Sequence, residues 1–454
     1  MGAEGGNCPK SVSRADVGQQ QMIPAIAARV IGSRRYPSPP SRERPGRPSH
    51  THMRSAPPPP AQLSDYHRWR TRSVMVAGHA YALATKPGLI GHGRDDAAAG
   101  LLAGRVVVAR GSTVVQMQCG GGLFAAVAAV RFGAAQVILT DRSLVAVDAS
   151  RRTLAANGVS NGTVFHGHGS TPLDPSVRAD VVAIRIPTEK MALLQLLADA
   201  FALLRVGGQC CIAGATNEGI KSAANRLADL FGNATVLGTQ SGHRAVMAVK
   251  RAATPTDTAA LAHAYLRHEA FNPIDITLRG TALQLFSRPG VFSWEHLDEA
   301  TALLADVLEV RPGDDVLDLG CGSGALGILA ATLSGTGRVR LVDVDSEAIR
   351  CATRAIDHAA LTNCSALCSD VGQAVLDERF DLVVANPPFH VGKGTDLDVP
   401  SQFILDAWRV LKPGGRLALV ANRTLPYEKL IHAAFGNLVT LHDGTRFKVL
   451  GARR

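Results

Sequence analysis

Short apolar runs rich in β-branched residues punctuate this chain, and longer Ala- and Leu-rich stretches separate them. Thr113–Met117, 136–140, 180–184 and 210–213 form one series, and Val316–Leu319, 338–342, 381–385 and 416–420 form a second. Runs this short and this apolar, bounded by glycine and followed by helical patterning, predict strands of a parallel sheet buried on both faces. The alternation predicts an α/β, doubly wound architecture in each half.

The two series are copies of each other. At an offset of 202, Cys119-Gly120 falls on Cys321-Gly322, Gly122 on Gly324 and Asp141 on Asp343. At the far end Gly242 and Arg244 fall on Gly444 and Arg446, and Gly207-Gly208 matches Gly414-Gly415 after a shift. One coincidence between βα units is unremarkable, but four in order imply duplication. Between the halves, 276–286 alternates as a hairpin or edge strands would, Pro289-Gly290 marks a turn, and Leu297, Leu304, Val307 and Leu308 have helical spacing. The expected organisation is an extension over 1–72, a first domain over 73–250, a linker or hairpin over 251–285, and a second domain over 286–454.

Composition sharpens this picture in two places. The formal charge of +10 sits mostly in residues 1–72, where 12 basic residues face 4 acidic ones, a net of +8. That segment is rich in Pro, Arg and Ser and has no core-forming period, so it reads as disordered, whether as a dispensable tail or as an organelle transit leader. The rest is nearly neutral, so bulk charge argues little for a nucleic-acid partner. The eight cysteines are scattered and several lie in apolar runs, which fits a reducing compartment and no metal site. No stretch of eighteen uninterrupted apolar residues occurs, so no membrane span is expected.

Candidate chemistry concentrates in the second half. Asp318, Gly320, Gly322 and Gly324 form a glycine loop between strand and helix, where bare backbone approaches a ligand closely. Asp343 ends the next strand, 23 residues after Gly320, where a carboxylate takes both hydroxyls of a ribose. Gly320-x-Gly322-x-x-Ala325 also satisfies the relaxed dinucleotide fingerprint, so these residues imply a nucleoside cofactor and leave a dinucleotide and S-adenosylmethionine both open.

The run 381–385 ends at Asn386-Pro387-Pro388-Phe389. Two prolines cannot donate to a sheet ladder, and a residue before proline is pushed to extended geometry, so a stiff loop forms at the carboxyl end of a strand. Asn386 offers an amide oxygen, Pro387 a carbonyl and Phe389 a flat ring, a combination suited to a planar group bearing an NH2. Glycine loop, strand-end acid and Asn-Pro-Pro-Phe, in that order, are the sequence of amino-directed methyltransferases. Two hydrogen bonds from an exocyclic amine would orient its lone pair toward a sulfonium methyl, and Phe389 would stack on a base taken out of its helix. His390 is placed to touch base or backbone.

With these motifs, Pro289-Gly290-Val291-Phe292-Ser293 with Asp298 downstream, and the ending Leu425-Pro426-Tyr427 with Arg446-Phe447-Lys448-Val449, residues 286–454 resemble the ribosomal RNA small subunit methyltransferase C family and its large-subunit relatives. Residues 73–250 resemble the family's duplicated amino-terminal domain more loosely, including Asn217-x-Gly219-x-Lys221-Ser222. The resemblance implies two tandem Rossmann-like methyltransferase domains, the first degenerate and the second catalytic. It implies that Asn386, Pro387 and Phe389 bind the target base, and that Asp318, Gly320, Cys321, Gly322, Gly324, Asp343 and Asp370 surround S-adenosylmethionine.

The first half departs from that pattern. Gln116 and Gln118 stand for Asp318 and Gly320, and Arg185-Ile186-Pro187-Thr188 stands for Asn386-Pro387-Pro388-Phe389. It is expected to catalyse nothing and to serve folding and RNA placement. The expected activity is methylation of guanine N2 in ribosomal RNA, preferably of the small subunit, by a cytoplasmic monomer acting on ribosomal RNA or a ribosomal subunit. An adenine-N6 or protein-glutamine acceptor, and a non-catalytic assembly factor, are the alternatives.

Overall fold

The computed structural model describes residues 64–388 and 397–454. Phe389 and His390, and all but the end of the amino-terminal extension, lie outside the described residues.

The first half opens with a hairpin of β1 (Arg70–Val76) and β2 (His79–Thr85). Its turn residues Ala77 and Gly78 both have positive φ, 48° and 84°, which matches the twist of the paired strands. α1 (Ala97–Arg105), β3 (Thr113–Met117), α2 (Leu123–Phe132), β4 (Gln136–Asp141), α3 (Leu144–Ala156), β5 (Gly162–His166), β6 (Ala179–Arg185), α4 (Lys190–Leu203), β7 (Leu204–Ala215), α5 (Ile220–Phe231), β8 (Thr235–Gln240) and β9 (His243–Val249) follow. The sheet runs β5-β4-β3-β6-β7-β9-β8, with β9 antiparallel to both its neighbours.

The second half repeats this order as β10 (Asn272–Leu278), β11 (Thr281–Ser287), α6 (Glu299–Val307), β12 (Val316–Leu319), α7 (Ala325–Ser334), β13 (Val339–Asp343), α8 (Ser346–His358), β14 (Cys364–Cys368), β15 (Phe380–Ala385), α9 (Asp398–Val410), β16 (Leu411–Asn422), α10 (Tyr427–Phe435), β17 (Val439–Asp443) and β18 (Phe447–Arg453). Its sheet runs β14-β13-β12-β15-β16-β18-β17. Both hairpins and the helix after them keep the offset of 202, starting at 70 and 272, 79 and 281, and 97 and 299.

The central strands were legible because they are covered on both faces. Val114, Val115, Leu139 and Val182, like Val316, Leu317, Leu341 and Val383, are fully buried. The hairpins and edge strands are half exposed and mix polar with apolar residues, so their pattern is weaker. No helix among the described residues is long and apolar enough to cross a membrane.

Two expected boundaries move. The extension was to end at residue 72, but β1 begins at Arg70, and Tyr66 is 3% exposed within the core around β15 and α9 of the second half. The 251–285 segment, expected as a linker or hairpin, holds the hairpin of β10 and β11, which runs on to Ser287, and Leu278 and Leu285, together with Phe286, pack against α6, α7 and α8. Short alternating hairpins bury one face only, and here that face belongs to the domain that follows.

The halves meet at their strand-end loops. Ser143 and Asp345 form an antiparallel bridge. Leu144 N donates to Val344 O at 2.9 Å, and Ser346 N to Arg142 O at 2.9 Å. Arg142 grips Asp345 through two hydrogen bonds, Nε to Oδ1 at 2.8 Å and Nη2 to Oδ2 at 2.5 Å, the bidentate geometry that suits a buried arginine. The carboxyl ends of the two sheets therefore face one another.

Candidate active site

In the second half the carboxyl ends of β12, β13, β14 and β15 surround a cavity of about 740 Å³. It opens where β12 meets β15 and the strand order reverses, the place where open α/β sheets take their ligands. Asp318, Gly320, Cys321, Gly322, Asp343, Asn386 and Pro387 line it.

The glycine loop is fixed by two carboxylates. Asp318, 1% exposed, accepts from Gly327 N at 2.8 Å and so ties β12 to α7. Burial pushes its pKa up to about 7. Asp343 accepts from Gly322 N at 2.9 Å and from Asp345 N at 3.0 Å. Burial, with the charge of Asp345, pushes it up to about 6. Gly320 has φ 79°, and a Cβ there would stand 2.9 Å from Phe403, so only glycine fits. A Cβ on Gly322 would meet no atom within 4 Å and would project into open space. The loop thus presents bare backbone beside a carboxylate, a cradle that fits the ribose and amino-acid ends of S-adenosylmethionine.

Two predicted cofactor residues do not reach the cavity. Gly324 starts α7 in the left-handed region, φ 92°, and packs against Leu341 and Ala352. Asp370 points away, although its neighbours Ser369 and Val371 line the wall. It accepts from Tyr66 Oη at 2.7 Å and is ion-paired with Lys86, both on the amino-terminal side of the chain. Burial opposes its charge, but His67, Lys86 and Tyr66 outweigh that and hold the carboxyl below its usual range.

Asn386 is held by its nitrogen. Nδ2 donates to Asp298 Oδ2 at 3.1 Å and to Thr301 Oγ1 at 3.0 Å. Asp298 caps α6, with Oδ2 accepting from Thr301 N at 2.9 Å, so the grip is anchored to a helix. Asn386 Oδ1 and the Pro387 carbonyl accept from no other described residue, leaving two acceptors side by side at the cavity. The arrangement can hold an exocyclic amine by both protons.

Sequence reasoning missed the other wall. Tyr66, Gly88, Ile90, Ser143 and Val145, all from the first half, line this cavity. The signal was present in part: Lys86-Pro87-Gly88 is the copy of Arg288-Pro289-Gly290 at the same offset. Thr301 and the role of Asp298 were also missed, since neither is adjacent to Asn386 in sequence.

At the first half's equivalent positions the side chains bond to the chain's own groups. Gln116 Oε1 accepts from Ala125 N at 3.0 Å, as Asp318 accepts from Gly327, and its Nε2 donates to Cys119 O at 3.2 Å. Gln118 keeps the left-handed backbone of Gly320, with φ 51°. Arg185 donates Nε to Asp96 Oδ2 at 3.0 Å and Nη2 to Glu218 Oε1 at 2.8 Å.

A paired-sheet fold of this order, with a glycine loop, a strand-end acid and an Asn-Pro-Pro turn around one cavity, defines a Rossmann-like methyltransferase. Residues 80–247 and 282–451 each match the family model described as Methyltransferase small domain. The chain is 35% identical over 277 residues to the ribosomal RNA small subunit methyltransferase C of Hahella chejuensis, covering 61% of this chain and 78% of that one. It is 30% identical over 288 residues to that of Psychromonas ingrahamii, covering 63% and 80%. A T. thermophilus 16S rRNA N2 methyltransferase solved in complex with AdoMet and guanosine superposes with a TM-score of 0.71 at 28% identity, covering 86% of this chain and 98% of that one. The chain belongs to the ribosomal RNA small subunit methyltransferase C family.

Proposed function

We propose that this chain transfers a methyl group from S-adenosylmethionine to the exocyclic N2 of a guanine in ribosomal RNA, with the small-subunit RNA as substrate. The observation that carries the reading is the grip of Asp298 and Thr301 on Asn386 Nδ2, which leaves the amide oxygen without another described partner, with Pro387 next to it in the wall of the same cavity as the glycine cradle. Bound S-adenosylmethionine supplies an electrophilic methyl on a sulfonium. Asp318, Gly320, Cys321, Gly322 and Asp343 hold that cofactor, with Gly324 starting the helix behind the loop, while Asp370 ties the neighbouring wall to Tyr66 and Lys86. Asn386 and Pro387 accept the two amine protons and aim the nitrogen lone pair, an orientation effect that needs no strong base. Phe389, outside the described residues, is assigned to stack on the base.

The first half walls the cavity and places the RNA. The named relatives act on ribosomal RNA, which favours guanine N2 over the adenine-N6 and glutamine acceptors that an Asn-Pro-Pro-Phe loop also admits. The intact cavity favours an enzyme over an assembly factor. We place the protein in the cytoplasm as a monomer on a ribosomal subunit.

The test is mass spectrometry of ribosomal nucleosides from cells with and without the gene, together with labelled methyl transfer by the purified chain to small subunits. Loss of one N2-methylguanosine without the gene, and its restoration by the chain, is the expected result. Methyl label on adenine or protein instead would overturn the reading.

A further inference from the structure

An Asn-Pro-Pro-Phe loop holds an amino group but does not by itself distinguish guanine from adenine. The two bases differ next to that group. Guanine carries an N1–H donor beside its 2-amino group, whereas adenine N1, beside its 6-amino group, is an acceptor. A site for guanine therefore gains from one further acceptor adjacent to Asn386.

Asp298 is in that place. It lines the cavity and touches Asn386. Thr301 N, Thr301 Oγ1 and Asn386 Nδ2 all converge on its Oδ2. Its Oδ1 accepts from no other described residue.

The duplicated half shows what such a site holds when it is filled. Sheet register equates Arg185 with Asn386: Val182 pairs with Val115 as Val383 pairs with Leu317, and Val115 and Leu317 are 202 apart. Asp96 likewise equals Asp298, each capping the helix after its hairpin. Ile186, one residue after Arg185, equals Pro387. The Arg185 guanidinium donates Nε to Asp96 Oδ2 at 3.0 Å and Nη1 to the Ile186 carbonyl at 3.2 Å. A guanidinium is a planar carbon bearing N–H donors, the same fragment that guanine presents through N1–H, C2 and its 2-amino group. The degenerate half thus carries, on its own side chain, donors bound to the counterparts of Asp298 and the Pro387 carbonyl.

We propose that Asp298 determines guanine specificity: Oδ1 accepts N1–H of the target base while Oδ2 holds Asn386 in the orientation that receives N2. Adenine in the same pose sets its N1 lone pair against the carboxylate. This inference rests on the proposed guanine-N2 activity.

The test uses nucleosides and needs no turnover. 2-Aminopurine riboside keeps the 2-amino group but has an acceptor at N1, and its fluorescence reports binding. On the full chain loaded with S-adenosylhomocysteine, guanosine should bind at least about tenfold tighter than 2-aminopurine riboside, since a site built to accept a proton rejects an analogue lacking it. Asp298→Asn keeps a good helix cap and presents an NH2 at the Oδ1 position. The guanosine preference should shrink at least about tenfold or invert, with S-adenosylhomocysteine affinity retained. An unchanged preference, or an equal loss for both nucleosides, overturns the proposal. Should the variant not fold, the parent chain decides the matter with 1-methylguanosine, which lacks N1–H: competition equal to that of guanosine overturns the proposal. If the parent makes N2-methylguanosine in ribosomal RNA and the preference is nonetheless absent, only this inference fails. If no N2-methylguanosine is made, the functional reading fails and takes the inference with it.

Discussion

Arg185 and Asn386 end equivalent strands and reach equivalent helix-capping aspartates, Asp96 and Asp298, at 3.0 and 3.1 Å. One pairing is a salt bridge in which the guanidinium also engages Glu218. The other is a single amide-to-carboxylate hydrogen bond that leaves the Asn386 amide oxygen without another described partner. At this position one exchange of residue type, Arg185 for Asn386, replaces an amide with a guanidinium on a common scaffold.

Asn386→Ala removes one acceptor for the amine and leaves the glycine cradle untouched. If that bond matures in the transition state, kcat and kcat/KM fall together. The expected loss is about 2–4 kcal/mol, roughly 30- to 1000-fold, as for one pre-organised polar group. Affinity for S-adenosylmethionine should hold within about twofold. Labelled transfer to small subunits measures the first and calorimetry the second; a variant as fast as the parent would remove Asn386 from the mechanism.

Cofactor stoichiometry follows from the first half's departures from the glycine loop. With Gln118 in place of Gly320 and Gln116 bonded to Cys119 O, calorimetry should find one S-adenosylmethionine per chain. Two sites of similar affinity would refute the degenerate reading.

Asp343 and Asp318 make binding and stability respond to pH in opposite directions. Their folded values of about 6 and about 7 exceed the ordinary carboxylate value near 4. The folded apoprotein therefore keeps protons that the unfolded chain has released. Their stabilising contribution is fully present below about pH 4 and is lost as pH rises toward 7. Ribose hydroxyls donating to Asp343 favour its ionised form, so S-adenosylmethionine affinity should rise from pH 5 to 7.5. Asp343→Asn should flatten that rise and weaken binding by roughly 1.5–3 kcal/mol for each charge-assisted bond lost. Affinity that falls over this range would contradict the assignment.

The two ends of the amino-terminal segment should behave differently. Deleting residues 1–60 removes no core-forming pattern and should leave the melting temperature unchanged. Tyr66→Ala should cost about 3–5 kcal/mol, because a buried aromatic ring is lost from the second half's core. Lys86→Met should also destabilise, since it removes the buried ammonium from Asp370 and leaves the carboxylate with Tyr66 and the more distant His67. Thermal melts of the three variants check this; a Tyr66→Ala melt equal to the parent's would place that ring outside the core.

How much of this was written along the chain follows from the range of each interaction. The repeat at 202, the buried central strands and the glycine loop are local: β-branched runs, left-handed glycines and paired prolines act within a few residues, so their pattern determined the doubly wound fold and put Asn386, Pro387 and Asp343 at strand ends. The polar hairpins stayed faint, because one exposed face dilutes the alternation. Side-chain destinations were decided by the tertiary structure. Asp370 has the position of a cofactor ligand, yet Lys86 and Tyr66, 284 and 304 residues away in sequence, draw its carboxylate out of the cavity. Asp298 and Asn386 lie 88 residues apart and meet only because β15 ends beside the start of α6. The first half contributes a wall because contacts across the chain, Arg142 with Asp345 and Tyr66 and Lys86 with Asp370, bring it against the second half's strand ends. A buried charge takes the partner that desolvation leaves within reach, and only the packed chain determines which partner that is.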